Sequence, residues 1–245
     1  MILLRSLLFN AAFFAWTVYL LLTGLPLLAR DRDGLRAVAA RWARGVLWLL
    51  EQIVGARVEV RGPHLSGARL VAAKHQSALD TMIFFLMAED PSYVMKKELA
   101  AIPVYGSFAR HQGMIFVDRQ AGASALKKLV VDARAACAAG RQIVIFPQGT
   151  RTAPGAPAAT MPYQPGIAAL QQALAMPTTP VALNSGLVWG RRSFLKRPGT
   201  IVVEILPDIP AGLKRAEFMR RLEDTIETAT TRLEAEAEAQ AAPPS

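Results

Sequence analysis

The chain's 245 residues suffice for one α/β domain with a membrane segment or for two small domains. Its 52% hydrophobic share and mean hydropathy of +0.26 exceed those of ordinary soluble domains, and its single cysteine excludes an intrachain disulfide or a Cys-clustered metal site. The net charge of +9 fits anionic partners (phosphate head groups, nucleic acid, coenzyme A or an acidic carrier protein) without choosing among them.

From Ser6 to Ala29 there is no charged residue. As a helix this run extends about 36 Å, enough for a hydrocarbon core about 30 Å thick. It lacks a small-residue cleavage pattern, and Phe13, Phe14, Trp16 and Tyr19 lengthen its apolar part, so it is expected to be retained. Arg30, Arg32, Arg36, Arg41 and Arg44 follow closely. By the positive-inside rule they place the rest of the chain in the cytoplasm, with Arg5 weakening the asymmetry. Leu35–Val54 predicts a second helix, basic and amphipathic in its first half and apolar in its second. It suits either the membrane interface, with arginines among lipid phosphates, or the core of the domain that follows. Residues 1–55 are therefore expected to be a membrane-associated helical segment, either one spanning helix or a two-helix platform.

From Arg57 onward, short Val/Ile-rich runs alternate with helical segments. Strands are predicted at Val58–Arg61, Leu70–Ala73, Tyr93–Met95, Met114–Val117, Gln142–Phe146, Thr179–Leu183 and Thr200–Leu206. Helices are predicted at Ala78–Ala88, Ala123–Ala139, Gly166–Ala175 and from Ala211 to about Glu238. This alternation implies an α/β domain over 56–238, with a central, mainly parallel mixed sheet covered by helices. Thr152–Pro165 reads as a flexible Pro/Gly/Ala loop and 239–245 as a disordered tail.

Lys74-His75-Gln76-Ser77-Ala78-Leu79-Asp80 follows a predicted strand and opens an apolar helix. Within one helix His75 and Asp80 would be about 140° apart and share no face. The pair works if His75 sits in the turn, Ser77 caps the helix and Asp80 takes the third helical position, pointing back at the imidazole. A carboxylate on one ring nitrogen leaves the other free to take a proton. By itself the spacing is a weak signal and fits a helix-capping Asp80 and a strand-end His75 better than a catalytic pair. Two further strand ends carry arginines, Gly113–Arg119 and Phe146-Pro147-Gln148-Gly149-Thr150-Arg151. Open α/β sheets bind ligands past the C-terminal ends of their strands, and two guanidiniums there suit a phosphate.

Together these segments resemble the conserved blocks of the 1-acylglycerol-3-phosphate acyltransferase family. His75–Asp80 is similar to its His-x4-Asp block, Gly113–Arg119 to its second and Phe146–Arg151 to its Phe-Pro-Glu-Gly-Thr-Arg block. Val181–Gly186 stands where the fourth block belongs, and Lys96-Lys97-Glu98-Leu99 is similar to the stretch between the first two. The resemblance runs from Val58 to Pro207 and implies a glycerolipid acyltransferase-like fold. It implies direct transfer of a fatty acyl group from acyl-CoA or acyl-carrier protein to the sn-2 hydroxyl of 1-acyl-glycerol-3-phosphate, giving phosphatidic acid. His75 would be the base and Asp80 its orienter. Lys96, Arg119 and Arg151 would hold the acceptor phosphate, Gln148, Gly149 and Thr150 would line the substrate site, and the Gly149 amide would be a candidate oxyanion donor. The resemblance implies no cofactor or metal, membrane lipid as partner, and residence at the bacterial inner membrane with the catalytic domain on the cytoplasmic face. Gln148 replaces the family's usual glutamate, and Tyr163-Gln164-Pro165-Gly166 lacks a lysine common before that glycine, so glycerol-3-phosphate or a lyso-ornithine lipid stays open as acceptor.

Other residues read more plainly. Cys137 lies on an apolar helix face and suits core packing. His64 and His111 read as surface or loop residues, and Glu234–Glu238 as a solvated helix end. Arg191, Arg192, Lys196 and Arg197, interleaved with Trp189, Phe194 and Leu195, form a basic-aromatic loop. That loop is a solvated turn, a membrane contact or a dock for an acidic carrier. A thioester hydrolase lacks a Gly-x-Ser-x-Gly elbow here, and no nucleic-acid motif supports a nucleic-acid binder.

Overall fold

β-branched runs bounded by Gly, Pro and charge become the strands of a single sheet. The computed structural model describes residues 1–29 and 32–241. Arg30, expected on the basic flank, Asp31, and tail residues 242–245 lie outside the described residues. Strands β1 (Ala56–Arg61), β2 (Arg69–Ala73), β3 (Pro91–Lys96), β4 (Ile115–Val117), β5 (Gln142–Ile145), β6 (Thr178–Leu183) and β7 (Gly199–Ile205) stand in the order β1-β7-β6-β2-β5-β3-β4. Neighbours are parallel except β6 and β7, which pair antiparallel with Val181 opposite Ile205. The sheet is the mainly parallel mixed one that the sequence predicts.

Alternation along β2 divides the core into two layers. Val71 and Ala73 pack with α2 (Arg32–Leu49) and α3 (Asp80–Met87) on one face. Leu70 and Ala72 pack on the other with α5 (Gly122–Ala138), α6 (Gly166–Leu174) and α7 (Arg215–Ala241). The remaining helices are α1 (Ile2–Gly24) and α4 (Tyr105–His111). α4 went unpredicted because seven residues containing Gly106 carry too little periodicity. Its glycine is a packing requirement, since a Cβ there would meet the Ala100 carbonyl oxygen at 2.1 Å. α7 continues past Ala239, where a disordered tail was expected, because its Ala/Glu-rich end is strongly helix-forming.

The N-terminal helices join this core. α2 and the π-helical turn after it bury Leu35, Ala39, Ala43, Val46, Leu50 and Val54 at helical spacing. The inner face of α2 is thus a core face, and residue 55 does not mark a break in packing. α1 and the turn after it, Ile2–Leu28, form one helix long and apolar enough to cross a membrane. α1 nevertheless lies along the domain. Arg5 Nη1 reaches the Val54 carbonyl (3.4 Å), Phe9 packs edge-on against Trp189, and Trp16 Nε1 bonds the Trp42 carbonyl (3.2 Å). Its outer face exposes Leu3, Leu7, Phe14, Val18 and Leu22.

Gly45 on α2 lies beneath the Trp16 indole, where a Cβ would meet Nε1 at 2.3 Å. Overpacking of this kind typically costs about 1–3 kcal/mol. Gly45→Val should therefore lower the thermal midpoint of the detergent-solubilised protein. An unchanged midpoint would mean that α1 is not packed on α2.

Candidate active site

β2 delivers the chain into the turn 74–79, and α3 anchors the far side of that turn by burying Met82, Ile83 and Phe84. Asp80, the first residue of α3, is fully buried. Its Oδ2 accepts the N–H groups of Gln76 (2.7 Å) and Ser77 (2.8 Å) and lies 2.9 Å from His75 Nδ1. Its Oδ1 accepts the Ser185 hydroxyl (2.5 Å) from the turn after β6. The expected capping differs in detail. α3 starts at Asp80 rather than at Ser77, whose Oγ accepts the Leu79 N–H at 3.1 Å. One carboxylate oxygen gathers two backbone amides and the imidazole, which holds 76–79 in a non-helical turn. A carboxylate so placed fixes the proton on Nδ1 and leaves Nε2 free to accept one.

The rest of the turn is held as tightly. The imidazole stacks on Phe146, with centroids 4.1 Å apart and planes 19° apart. The His75 carbonyl accepts both the N–H (2.8 Å) and the hydroxyl (3.2 Å) of Thr152. Gln76 accepts the Gly186 N–H (3.0 Å) and donates to Glu234 Oε1 (2.6 Å), whose Oε2 takes the Gly155 N–H (2.9 Å). Glu234, expected at a solvated helix end, is only 9% exposed and braces the histidine turn from α7. Sequence reasoning missed Gln76, Ser185 and Glu234. Only their placement in or near the matched segments offered a signal for the first two.

A cavity of about 820 Å³ opens at the sheet's C-terminal end. His75, Lys96, Arg119, Gly149, Thr150 and Arg151 line it, together with Arg191 and Arg192. Among the described residues, no carboxylate is hydrogen-bonded to or ion-paired with any of these five cations. Arg119 Nη1 donates to the Gly149 carbonyl (2.8 Å), and Arg191 Nη1 to the Arg151 carbonyl (3.1 Å). Burial pulls the Arg151 guanidinium below its usual range, with the Asp80 charge opposing, yet arginine stays protonated. Leu20 and Trp42 from the N-terminal helices wall one side of the cavity, and Leu126, Leu129 and Ile167 another.

Two expectations change. Gly149 adopts φ +70° and donates its N–H to the Phe146 carbonyl (2.9 Å), so this amide is spent on the turn and cannot serve an oxyanion. Gln148 does not line the cavity. It is buried and directed at Glu227 of α7 through a long 3.5 Å contact. Glu227 also pairs with the buried Lys74 (2.6 Å) and accepts the Tyr163 hydroxyl (2.8 Å). A glutamate at 148 would set a second carboxylate beside Glu227, with Lys74 as their shared cation. α7 therefore already supplies a charge near the place where the family pattern carries one. Elsewhere, Cys137 is half-buried with Sγ 3.8 Å from Met176, burial raises its thiol pKa, and His64 and His111 sit at the surface.

Residues 57–184 match the Acyltransferase family. The chain is 32% identical over 209 residues to a 1-acyl-sn-glycerol-3-phosphate acyltransferase of Pseudomonas aeruginosa, covering 84% of this chain and 79% of that one. It is 33% identical over 155 residues to the protein of the same name from Helicobacter pylori, covering 60% and 62%. The fold is similar to the crystal structure of the 1-acyl-sn-glycerophosphate (LPA) acyltransferase PlsC from Thermotoga maritima. That match has a TM-score of 0.76 at 19% identity and covers 96% of this chain and all of that one.

Removing the Glu234 carboxylate leaves the buried Gln76 amide without an acceptor, a loss that costs about 1–3 kcal/mol, while water can replace it at the exposed Gly155 N–H. Glu234→Ala should lower the unfolding midpoint measured by circular dichroism. A wild-type midpoint would show that the brace is dispensable.

Proposed function

The chain belongs to the 1-acyl-sn-glycerol-3-phosphate acyltransferase family, and we propose that it moves a fatty acyl group from an acyl thioester to the sn-2 hydroxyl of 1-acyl-glycerol-3-phosphate, giving phosphatidic acid. The observation that carries this reading is the His75 imidazole, tied through Nδ1 to buried Asp80 at 2.9 Å and lining a cavity with five cations that have no carboxylate partner among the described residues. Nε2 takes the proton of the acceptor hydroxyl as its oxygen attacks the thioester carbonyl. The tetrahedral intermediate collapses to the new ester and expels the thiolate, which recovers the proton from the imidazolium. Asp80 holds the ring and stabilises its cationic form. Lys96, Arg119 and Arg151 bind the acceptor phosphate, the kind of anion that unpaired guanidiniums grip bidentately.

The thioester carries the activated acyl group, so the scheme needs no cofactor. The donor is acyl-CoA or acyl-carrier protein, and the product feeds phospholipid synthesis. Gln148, the departure that left the acceptor open, turns onto Glu227 and gives no reason to favour another acceptor. The exposed apolar face of α1, docked lengthwise on the domain, supports membrane attachment by a two-helix platform, with the active site on the cytoplasmic face of the inner membrane.

General-base catalysis contributes about 10²–10⁴-fold, so His75→Ala should lose at least that much transfer to lysophosphatidic acid while keeping its circular dichroism spectrum. Activity near wild type in that variant would end the scheme. Arg151→Ala should raise the acceptor KM by about tenfold or more, as loss of a charge-assisted contact implies. A change confined to the KM of the acyl donor would place Arg151 on the other substrate.

A further inference from the structure

Ser6 and Asn10 are polar residues of α1, which also carries Arg5, Thr17 and Thr23, and both are used on one loop. Asn10 Nδ2 donates to the Phe194 carbonyl (3.0 Å), and Ser6 Oγ accepts the Lys196 N–H (2.9 Å). These contacts fasten the loop 190–197, between β6 and β7, to the helix. On α1 the row through Ser6 and Asn10 continues at helical spacing with Leu3, Leu7 and Phe14, all exposed. At the loop tip Phe194 is 49% exposed and Leu195 38% exposed. The loop therefore extends the apolar face of α1.

The carbonyls at the tip of this loop are satisfied from within the chain. Lys196 is buried, lies over the Trp189 ring at 4.9 Å, and turns Nζ inward onto the carbonyls of Ser193 (2.9 Å) and Phe194 (3.0 Å). Burial pushes its pKa down to about 8. The Ser193 hydroxyl bonds the Leu195 carbonyl (3.0 Å), and the Ser193 N–H bonds that of Gly190 (3.1 Å). The carbonyls of Gly190, Ser193, Phe194 and Leu195 all accept bonds from within the chain. Water would satisfy such carbonyls at no structural cost. Hydrocarbon would not, and there an unpaired carbonyl costs several kcal/mol. Self-satisfied carbonyls beneath exposed Phe and Leu side chains match a lipid environment. On the cavity side of the same loop, Arg191 and Arg192 line the mouth with no carboxylate partner among the described residues.

We propose that the loop 190–197 inserts into an anionic bilayer beside α1, with Phe194 and Leu195 among acyl chains and Arg191 and Arg192 at the level of the lipid phosphates. This inference rests on the membrane-bound lysophospholipid reading given above.

Two measurements on the full chain test it. In a Cys137→Ala background, Phe194→Cys is labelled with bimane and reconstituted into phosphatidylethanolamine/phosphatidylglycerol vesicles, with Lys128→Cys on α5 as the reference. The label at 194 should lose fluorescence to a nitroxide on the lipid acyl chain, and the label at 128 should lose it to aqueous iodide. Separately, the double variant F194S/L195S should raise the apparent KM for vesicle-borne lysophosphatidic acid about tenfold, the equivalent of about one lost apolar side chain. Its transfer to a water-soluble short-chain acceptor should stay at wild-type level. Quenching at 194 by iodide alone overturns the proposal while leaving the acyltransferase reading intact, as does an unchanged vesicle KM. Protection from iodide that appears only on adding acyl-carrier protein identifies a carrier dock and equally overturns it. A wild-type protein that neither binds the vesicles nor transfers to the short-chain acceptor removes the underlying reading as well.

Discussion

The architecture depends on satisfying one buried carboxylate. Asp80 is fully buried, and an unpaired charge in that position is among the most expensive features a core can carry. Its two oxygens draw on donors from separate parts of the fold: the amides of Gln76 and Ser77, the His75 ring and the Ser185 hydroxyl. Those donors meet only if β2 and β6 are neighbours and their C-terminal ends lie level, which the parallel register of Ala73 with Val181 secures. The charge that costs most to bury is thus the one that aligns the imidazole. α7 extends the constraint, since Glu234 holds Gln76 and Gln76 holds Gly186. The turn at His75 is fixed from three directions before any substrate arrives.

The same arrangement separates two kinds of surface within one cavity. Cations from the ends of β3, β4 and β5 and from the loop after β6 line the same cavity as His75, while α1, α2, α5 and α6 contribute apolar walls. A molecule with a phosphate, a hydroxyl and a long hydrocarbon chain meets complementary chemistry at each part. α1 lines that cavity with Leu20 while presenting a different set of side chains, Leu3, Leu7 and Phe14 among them, outward.

Much of this was legible in the sequence, for identifiable reasons. All seven strands announced themselves because Val and Ile runs were cleanly bounded, and each lies within two residues of its expected limits. The His75/Asp80 pair and the arginines at 119 and 151 sat in contiguous blocks. What escaped depends on contacts distant in the chain. Glu234 meets Gln76 across 158 positions, and its Ala/Glu surroundings looked like a solvated helix end. Gln148 could be placed beside the pocket but not oriented, because its direction depends on Glu227, 79 residues away. The Gly149 amide looked available until its turn closed onto Phe146.

The central claim is direct transfer driven by the His75/Asp80 pair, with no acylated protein on the way. The purified protein incubated with a radiolabelled acyl thioester tests it, first alone and then with lysophosphatidic acid added. Label should remain on the thioester until the acceptor arrives and then appear in phosphatidic acid at the same rate as free thiol. Label bound covalently to the protein, or fatty acid released equally fast without acceptor, would contradict it.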